Sequence, residues 1–133
     1  MSKLAHLALR AALVGAGALI VGGVMAPEHA QSRLLATCTP TAYSPAVDYG
    51  SRLGQAVGET TCDAGAPSWS YSIYLRNHAG STLGNPATGG PFTGNRLLST
   101  DWTSCAGAIV HTFLYINVGG AGKSDTSGEV SGC

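Results

Sequence analysis

The stretch that decides the fold is Ala108–Val118, with the sequence AIVHTFLYINV. Side chains alternate between the two sides of a β-strand, so this run presents two distinct faces. Both faces are largely apolar, which is typical of a central strand in a sheet that is covered on both sides. One face carries Val110, Thr112, Leu114, Ile116 and Val118, and the other carries Ile109, His111, Phe113 and Tyr115.

A second strand pattern lies at Trp69–Leu75, where apolar and polar residues alternate. This alternation predicts a half-buried strand with one face toward a core. Residues 77–80 (NHAG) follow and predict a turn. Core packing is the expected role of the aromatic residues Trp69, Tyr71 and Phe113.

The remainder of residues 37–133 predicts further short strands and no helix. Apolar residues do not recur at the spacing of a helix, and Gly, Ser, Thr and Pro interrupt the sequence throughout. Residues 84–94 (GNPATGGPFTG) predict a Gly/Pro-rich loop or a crossover between sheets. Six to seven short strands predict an all-β fold, a small antiparallel β-sandwich of immunoglobulin-like type. The weaker strand patterns cover residues 39–44, 53–61, 95–100 and 125–132.

Residues 1–36 have the character of a secretory signal peptide. Lys3, His6 and Arg10 form a basic start, and the uncharged run AALVGAGALIVGGV follows at residues 11–24. This run is shorter than a comfortable membrane span, so we expect no membrane span after cleavage. Small residues place the cleavage after Ala30 or Ala36, which leaves residues 37–133 as the secreted domain.

Charge argues against nucleic acid as a partner. The chain of 133 residues carries seven Lys and Arg against seven Asp and Glu, a formal net charge of zero. Residues 37–133 hold four of these cations and six of these anions, which gives the predicted domain a net charge of −2. A protein that binds the phosphate backbone needs a basic excess to displace its counterions.

The four cysteines, Cys38, Cys62, Cys105 and Cys133, all lie in the predicted domain. An even count in a small exported domain predicts two structural disulfides. No C-x-x-C spacing occurs, which argues against a zinc site and a redox-active pair. We therefore expect no metal and no cofactor.

Turn signals favour one of the three possible cysteine pairings. The midpoint of Cys38 and Cys62 falls in the turn-like sequence YGS, and that of Cys105 and Cys133 falls in GGAG. Residues equidistant from a hairpin turn face each other, so the favoured bridges are Cys38–Cys62 and Cys105–Cys133, each closing a hairpin. The alternative is an immunoglobulin-style bridge from Cys62 to Cys105 across two sheets.

Two histidines remain in the predicted domain, and neither has the context of a catalytic residue. His78 lies in a predicted turn, where solvation is the ordinary outcome, and His111 lies within the strongest strand. A Ser-His-Asp triad is arithmetically possible, but no G-x-S-x-G sequence is present. We therefore assign no catalytic, cofactor-binding or metal-binding residue, and expect a protein that is not an enzyme.

Three residues are weak candidates for a binding surface. Tyr74 and Arg76 lie on the strand face opposite the apolar positions, and Trp102 precedes Cys105 in a predicted loop. Exposed aromatic residues together with arginine are common anchors at binding interfaces. The partner would be an unknown protein or a glycan.

Several features together resemble small exported proteins of Gram-positive actinobacteria, of the Streptomyces kind. The resemblance covers most of residues 37–133, implies a secreted two-disulfide β-sandwich, and carries no known site. The features are the export signal, Ala36-Thr37-Cys38 opening the first strand, Cys62 closing the second, the strand at 71–76 (YSIYLR), Cys105 ahead of a hydrophobic strand, and the closing residues 127–133 (SGEVSGC).

These observations predict a small secreted, non-catalytic protein, a binding or envelope-associated module in the medium or at the cell wall. The alternative is an inhibitor of a secreted hydrolase, an amylase or a protease. Such an inhibitor needs a rigid exposed loop near a disulfide, for which residues 84–94 and 101–107 are candidates. A small hydrolase is a further alternative.

Overall fold

A computed structural model describes residues 36–133. The predicted signal peptide falls on residues 1–35 and Ala36, so nearly all of it, including the predicted cleavage position after Ala30, lies outside the described residues. Ala36, the other predicted cleavage position, is the first residue described and lies just ahead of the first strand.

The described residues form eight β-strands and no helix, which confirms the predicted all-β fold. The count is one more than the predicted six to seven. The strands are β1 (Cys38–Asp48), β2 (Leu53–Cys62), β3 (Trp69–Asn77), β4 (Thr82–Phe92), β5 (Arg96–Ser99), β6 (Thr103–Ser104), β7 (Val110–Val118) and β8 (Ala121–Thr126).

The strands build two antiparallel sheets, as expected for a sandwich. In sheet A, β2 lies in the middle, with β1 on one side and with β5 and the two-residue β6 on the other. Sheet B has the order β4-β3-β7-β8. The orders β1-β2-β5 and β3-β7-β8 match the A-B-E and C-F-G orders of an immunoglobulin-type sandwich, and β4 is added at the β3 edge.

The core lies between the two sheets and depends on small residues in β2. Trp69, Ile73 and Leu75 of β3 are buried. A Cβ atom at Gly58 of β2 would lie 3.0 Å from Leu114 Cδ2 and 3.0 Å from a backbone oxygen, so only glycine lets β2 approach sheet B this closely. The inner faces of β3 and β7 are those that the alternation predicted.

Residues 84–94 are the main error in the predicted secondary structure. Most of this segment belongs to β4, an edge strand that pairs with β3, for example through Ala87 opposite Ile73. The Gly/Pro-rich composition suggested a loop because proline lacks an N–H donor. An edge strand needs donors on one side only, so Pro86 and Pro91 are tolerated there.

The C-terminal strand is also displaced from its predicted position at residues 125–132. The observed strand β8 ends at Thr126, and beyond it Val130 forms a single bridge with Val110. Two charged side chains of β8 reach the other sheet. Asp125 accepts a hydrogen bond from the Ala42 N–H at 2.7 Å, and Lys123 Nζ donates to the Cys38 carbonyl at 3.2 Å.

Both predicted disulfides are confirmed, but only one has the predicted setting. Cys38 lies directly opposite Cys62 in the β1–β2 ladder and closes that hairpin. Cys105 instead follows β6 of sheet A, and its N–H donates to the Arg52 carbonyl. The Cys105–Cys133 bridge therefore links sheet A to the segment that follows β8 of sheet B, although the β7–β8 turn lies at the predicted midpoint.

Candidate binding surface

The outer side of sheet B brings together two of the three predicted binding residues. In the β3–β7 ladder, Tyr74 lies opposite Phe113 and Arg76 lies opposite His111. Because side chains alternate and the neighbours in both strands are buried, these four residues point away from the core. We call Tyr74, Arg76, His111 and Phe113 the arginine–aromatic face.

The guanidinium of Arg76 lies over two aromatic rings of this face. Its Cζ atom is 4.0 Å from the centroid of the Phe113 ring and 4.9 Å from that of the Tyr74 ring. The two rings are themselves tilted together, with centroids 5.9 Å apart. Both distances to the guanidinium are within the range of a cation–π interaction.

The positive charge of Arg76 has no protein counter-ion among the described residues. The ion pair that these residues form is His78 with Glu129, whose closest atoms are 2.8 Å apart. Arg76 Nε is buried without an acceptor, and the neighbouring His111 Nδ1 is in the same condition. The rings therefore hold a guanidinium group whose charge the described residues leave uncompensated.

The rest of this outer side is lined by hydroxyl, amide and tyrosine side chains. At its far end, an open cavity of about 330 Å³ lies beside the β7–β8 turn, lined by Ser68, Ser70, Pro91, Asn117 and Gly120 among others. The outer positions of β3, β7 and β8 contain no Leu, Ile or Val. Between the cavity and the arginine–aromatic face lie Ser72, Thr88, Tyr115 and Ser124.

Trp102 lies elsewhere in the molecule. It is 48% exposed and connects β5 to β6 on the side of sheet A, so the structure does not bring it together with Tyr74 and Arg76. Its surroundings are well held, since Thr100 exchanges hydrogen bonds with Ala56 and accepts one from Gln55. Trp102 is thus presented on a fixed segment.

The outer side of sheet A has a different character. Leu97 is 73% exposed and lies opposite Glu59 in the β2–β5 ladder, while Tyr43 lies opposite Val57 in the β1–β2 ladder. The Tyr43 hydroxyl donates to Glu59 at 2.6 Å, and this hydrogen bond raises the pKa of Tyr43 above its ordinary value. This side combines aliphatic surface with a carboxylate.

His78 pairs with an acidic side chain, and the described residues place no metal-binding group around either histidine. His78 lies in the β3–β4 turn with a side chain 73% exposed, and its Nδ1 atom contacts the Glu129 carboxylate. It also lines an open cavity of about 430 Å³ with Ala106 and Ile109. Among residues 36–133 we find no group of three or more His, Cys, Asp or Glu side chains placed to hold a metal ion.

Phe113 lies on this surface, where the prediction from the sequence is wrong. It was expected in the core, yet it lies on the outer side beneath Arg76. The signal was present in the alternation of β7, which places Phe113 with His111 and Tyr115 on one side. What the sequence did not supply was the choice of Val110, Leu114 and Ile116 as the side that faces the core.

Comparisons with known proteins found no match to this chain. No protein-family model matches the chain, and no match was found among curated proteins or solved structures. Within residues 36–133 there is also no helix long and apolar enough to cross a membrane.

Proposed function

We propose that this chain is a small exported, non-catalytic binding module of a bacterial envelope or culture medium, and that it binds through the arginine–aromatic face. The observation that carries the proposal is the Arg76 guanidinium, stacked on Phe113 and Tyr74 without a counter-ion among the described residues. No strand of either sheet packs on this outer side.

Stability alone gives a weak reason for this arrangement. A cation–π contact contributes from about 0.5 kcal/mol at an exposed site to about 2 kcal/mol where it is desolvated, and leaving Arg76 Nε buried without an acceptor offsets part of that gain. A planar guanidinium that is already held in one orientation, however, loses little further freedom when it binds a ligand. The stack on Phe113 and Tyr74 is therefore better explained as a prepared binding group than as a fold-stabilising one.

The exported setting is supported by separate observations. Two disulfides are typical of proteins from oxidising, extracellular environments. The basic start and apolar run of residues 1–24 support an export signal. The resemblance to exported actinobacterial proteins points to a bacterial cell wall or its medium as the place to look for the partner.

The test is retention of the purified protein on cell walls isolated from a Streptomyces culture. The double variant Tyr74→Ser/Phe113→Ser removes both aromatic rings that contact the Arg76 guanidinium. We expect most of this variant to be no longer retained on the cell walls. The matched control is Tyr43→Ser/Leu97→Ser, which removes comparable surface from sheet A and should be retained like the original protein. Retention that depends on the sheet A pair and not on the sheet B pair would overturn the proposal.

A second candidate function has one observation in its favour. Residues 101–107 present Trp102 on a segment fixed by β6 and by the Cys105–Cys133 bridge, as an inhibitory loop would require. The other segment proposed for inhibition, residues 84–94, is not a free loop, because residues 84–92 belong to strand β4. Stoichiometric inhibition of a secreted amylase or protease that disappears in Trp102→Ala would support this alternative, and a negative enzyme panel would oppose it.

A further inference from the structure

We infer that the ligand of the arginine–aromatic face is an anionic glycan, a sugar chain that carries carboxylate or phosphate groups. This inference rests on the proposed function and names its ligand. It is carried by three observations: the unpaired charge of Arg76, the hydroxyl-rich surroundings, and the length of the surface.

Most acidic side chains of the domain are occupied by partners other than Arg76. Five of the six acids in residues 37–133 accept hydrogen bonds from other groups, and none of them lies within ion-pair distance of Arg76. An oxyanion supplied from outside would provide the missing partner. Arginine suits this role because its parallel N–H groups match the two oxygens of a carboxylate or phosphate. The acids and their donors are Asp48 with Gly50 and Ser51, Glu59 with Tyr43, Asp63 with Thr37, Asp125 with Ala42, and Glu129 with His78.

The surroundings of Arg76 distinguish a sugar from a protein surface. Serine, threonine, asparagine and tyrosine side chains line this side of sheet B, and they can donate to and accept from sugar hydroxyls. A docking protein would instead favour an apolar centre, such as the exposed Leu97 on the other sheet.

The dimensions fit a chain of several sugars. Ser70 and Arg76 are six residues apart on β3, a distance of about 20 Å in a strand. The cavity of about 330 Å³ beside Ser70 lies at one end of this path, and Arg76 lies at the other. A glycan running along β3 would place one sugar among the small polar groups of the cavity and an anionic group at the guanidinium.

The test measures binding of the purified protein by titration calorimetry to two matched pairs of polymers. Polygalacturonate carries carboxylates, and its fully methyl-esterified form does not. Phosphomannan carries phosphates, and neutral mannan does not. We expect at least one charged polymer to bind about tenfold more tightly than its neutral match, since a hydrogen bond to a charged group is worth that much. Which pair responds identifies the source of the oxyanion.

Variants at two arginines separate the site from net charge. Arg76→Gln should weaken binding of the charged polymer about tenfold or more, and Arg76→Lys should restore only part of it because lysine lacks the paired donors. Arg96→Gln is the matched control. Arg96 is also stacked on a ring, 3.8 Å from the Phe92 centroid, but it lies at the start of β5 in sheet A. Its variant should bind like the original protein.

Three results would overturn the inference. Equal binding of each charged polymer and its neutral match would exclude the anionic group. Tighter binding of single-stranded oligo(dT) than of any polysaccharide would replace the glycan by a nucleic acid. Finally, no binding of any polysaccharide, while retention on cell walls still depends on Tyr74 and Phe113, would leave the proposed function standing and show that its ligand is of another class.

Discussion

The sandwich has two ends, each closed by one disulfide, and the two closures differ in what else holds them. The Cys38 end contains the Cys38–Cys62 bridge with residues 63–68, 93–95 and 119–120. The Cys105 end contains the Cys105–Cys133 bridge with residues 49–52, 78–81, 100–109 and 127–133. The covalent loops are nearly equal, with sequence separations of 24 and 28 residues.

At the Cys38 end, hydrogen bonds connect the same two strand ends that the disulfide joins. β1 pairs with β2 from Cys38 to Tyr43 and again from Ala46 to Asp48, and beyond the bridge the Asp63 N–H donates to the Thr37 carbonyl at 2.9 Å. Lys123 adds a link from sheet B, since its Nζ donates to the Thr37 hydroxyl at 2.9 Å. Breaking the bridge would leave this strand end paired.

At the Cys105 end, the disulfide holds a segment that has isolated hydrogen bonds and the His78–Glu129 ion pair but no continuous strand ladder. After β8 the Ser127 N–H donates to the Thr112 carbonyl, and Val130 exchanges two hydrogen bonds with Val110. The Gly107 N–H then reaches the Cys133 carbonyl at 3.3 Å. The two bridges close loops of nearly equal length, but they differ in local importance. Only the Cys105–Cys133 bridge closes a region that has no continuous strand ladder.

The largest expected effect comes from removing the sparsely supported bridge with Cys105→Ala/Cys133→Ala. Loop entropy predicts a loss of about 3.5 kcal/mol in the free energy of unfolding for either bridge. Here residues 127–133 should also detach, so hydrogen exchange at the Val110 and Ser127 amides should accelerate about tenfold or more relative to the rest of β7.

The matched variant is Cys38→Ala/Cys62→Ala. It should lose a similar unfolding free energy by urea denaturation while the Val110 amide keeps its protection relative to the rest of β7. Equal acceleration at Val110 in both double variants would refute the difference between the two ends.

The next effect tests how closely the Cys105 bridge is packed. A Cβ atom at Gly54 would lie 3.0 Å from Cys105 Sγ and 3.1 Å from Leu75 Cδ2. Gly54→Ala should therefore cost about 2 kcal/mol through overpacking, measured by urea denaturation. The cost should shrink in the Cys105→Ala/Cys133→Ala background, where the sulfur is gone. Gly128→Ala, with no atom within 4 Å of its added Cβ, should be nearly neutral.

A smaller effect tests the side-chain links that support β1. Asp125→Leu removes the acceptor of the Ala42 N–H and should lower the free energy of unfolding by about 1.5 kcal/mol. Asp125→Asn keeps a carbonyl oxygen in place and should lose less. If the leucine variant had the same free energy of unfolding in urea as the original protein, the hydrogen bond between β8 and β1 would contribute nothing to stability.

The smallest effect is a pH dependence at the Cys105 end. Hydrogen bonds from Ser51 and then from the Gly50 N–H hold the pKa of Asp48 below its ordinary value of 3.8. A lowered pKa means that this carboxylate stabilises the fold above about pH 4, and that the stabilisation is lost as the pH falls through the folded-state pKa.

Asp48→Asn should accordingly flatten the acid side of the stability profile, measured by thermal unfolding between pH 2 and 6. Asp101→Asn is its control, because the Asp101 carboxylate accepts no hydrogen bond from the described residues. An unchanged stability profile in the Asp48→Asn variant would show that the hydrogen bonds between Asp48 and the turn at residues 49–52 do not contribute to the pH dependence.

Much of the fold could be predicted because its signals are local. The alternation in Trp69–Leu75 and Ala108–Val118 fixed two strands, and the turn midpoints selected both disulfides. Strand β4 could not be predicted in this way. Its place depends on the exposed edge of β3, which tolerates prolines that its own sequence presents as loop signals.

The candidate site was predicted in part for the same physical reason. Tyr74 and Arg76 share a strand, so their common side followed from the alternation. Phe113 joins them only through the β3–β7 register, which no local pattern specifies. Trp102 was grouped with them by composition, and the sheets separate it.

The prolines of β4 also affect how readily this chain associates with copies of itself. An edge strand is a template on which a second chain can add, and long regular edges lead to aggregation. Pro86 and Pro91 remove donors from β4, and the register of β4 is interrupted twice along β3. The opposite edge strand, β8, is protected in another way. Its charged side chains Lys123 and Asp125 point inward, which also disfavours the addition of a second chain. The Gly/Pro-rich composition of β4, which predicts a loop, thus makes sheet B a poor template for self-association.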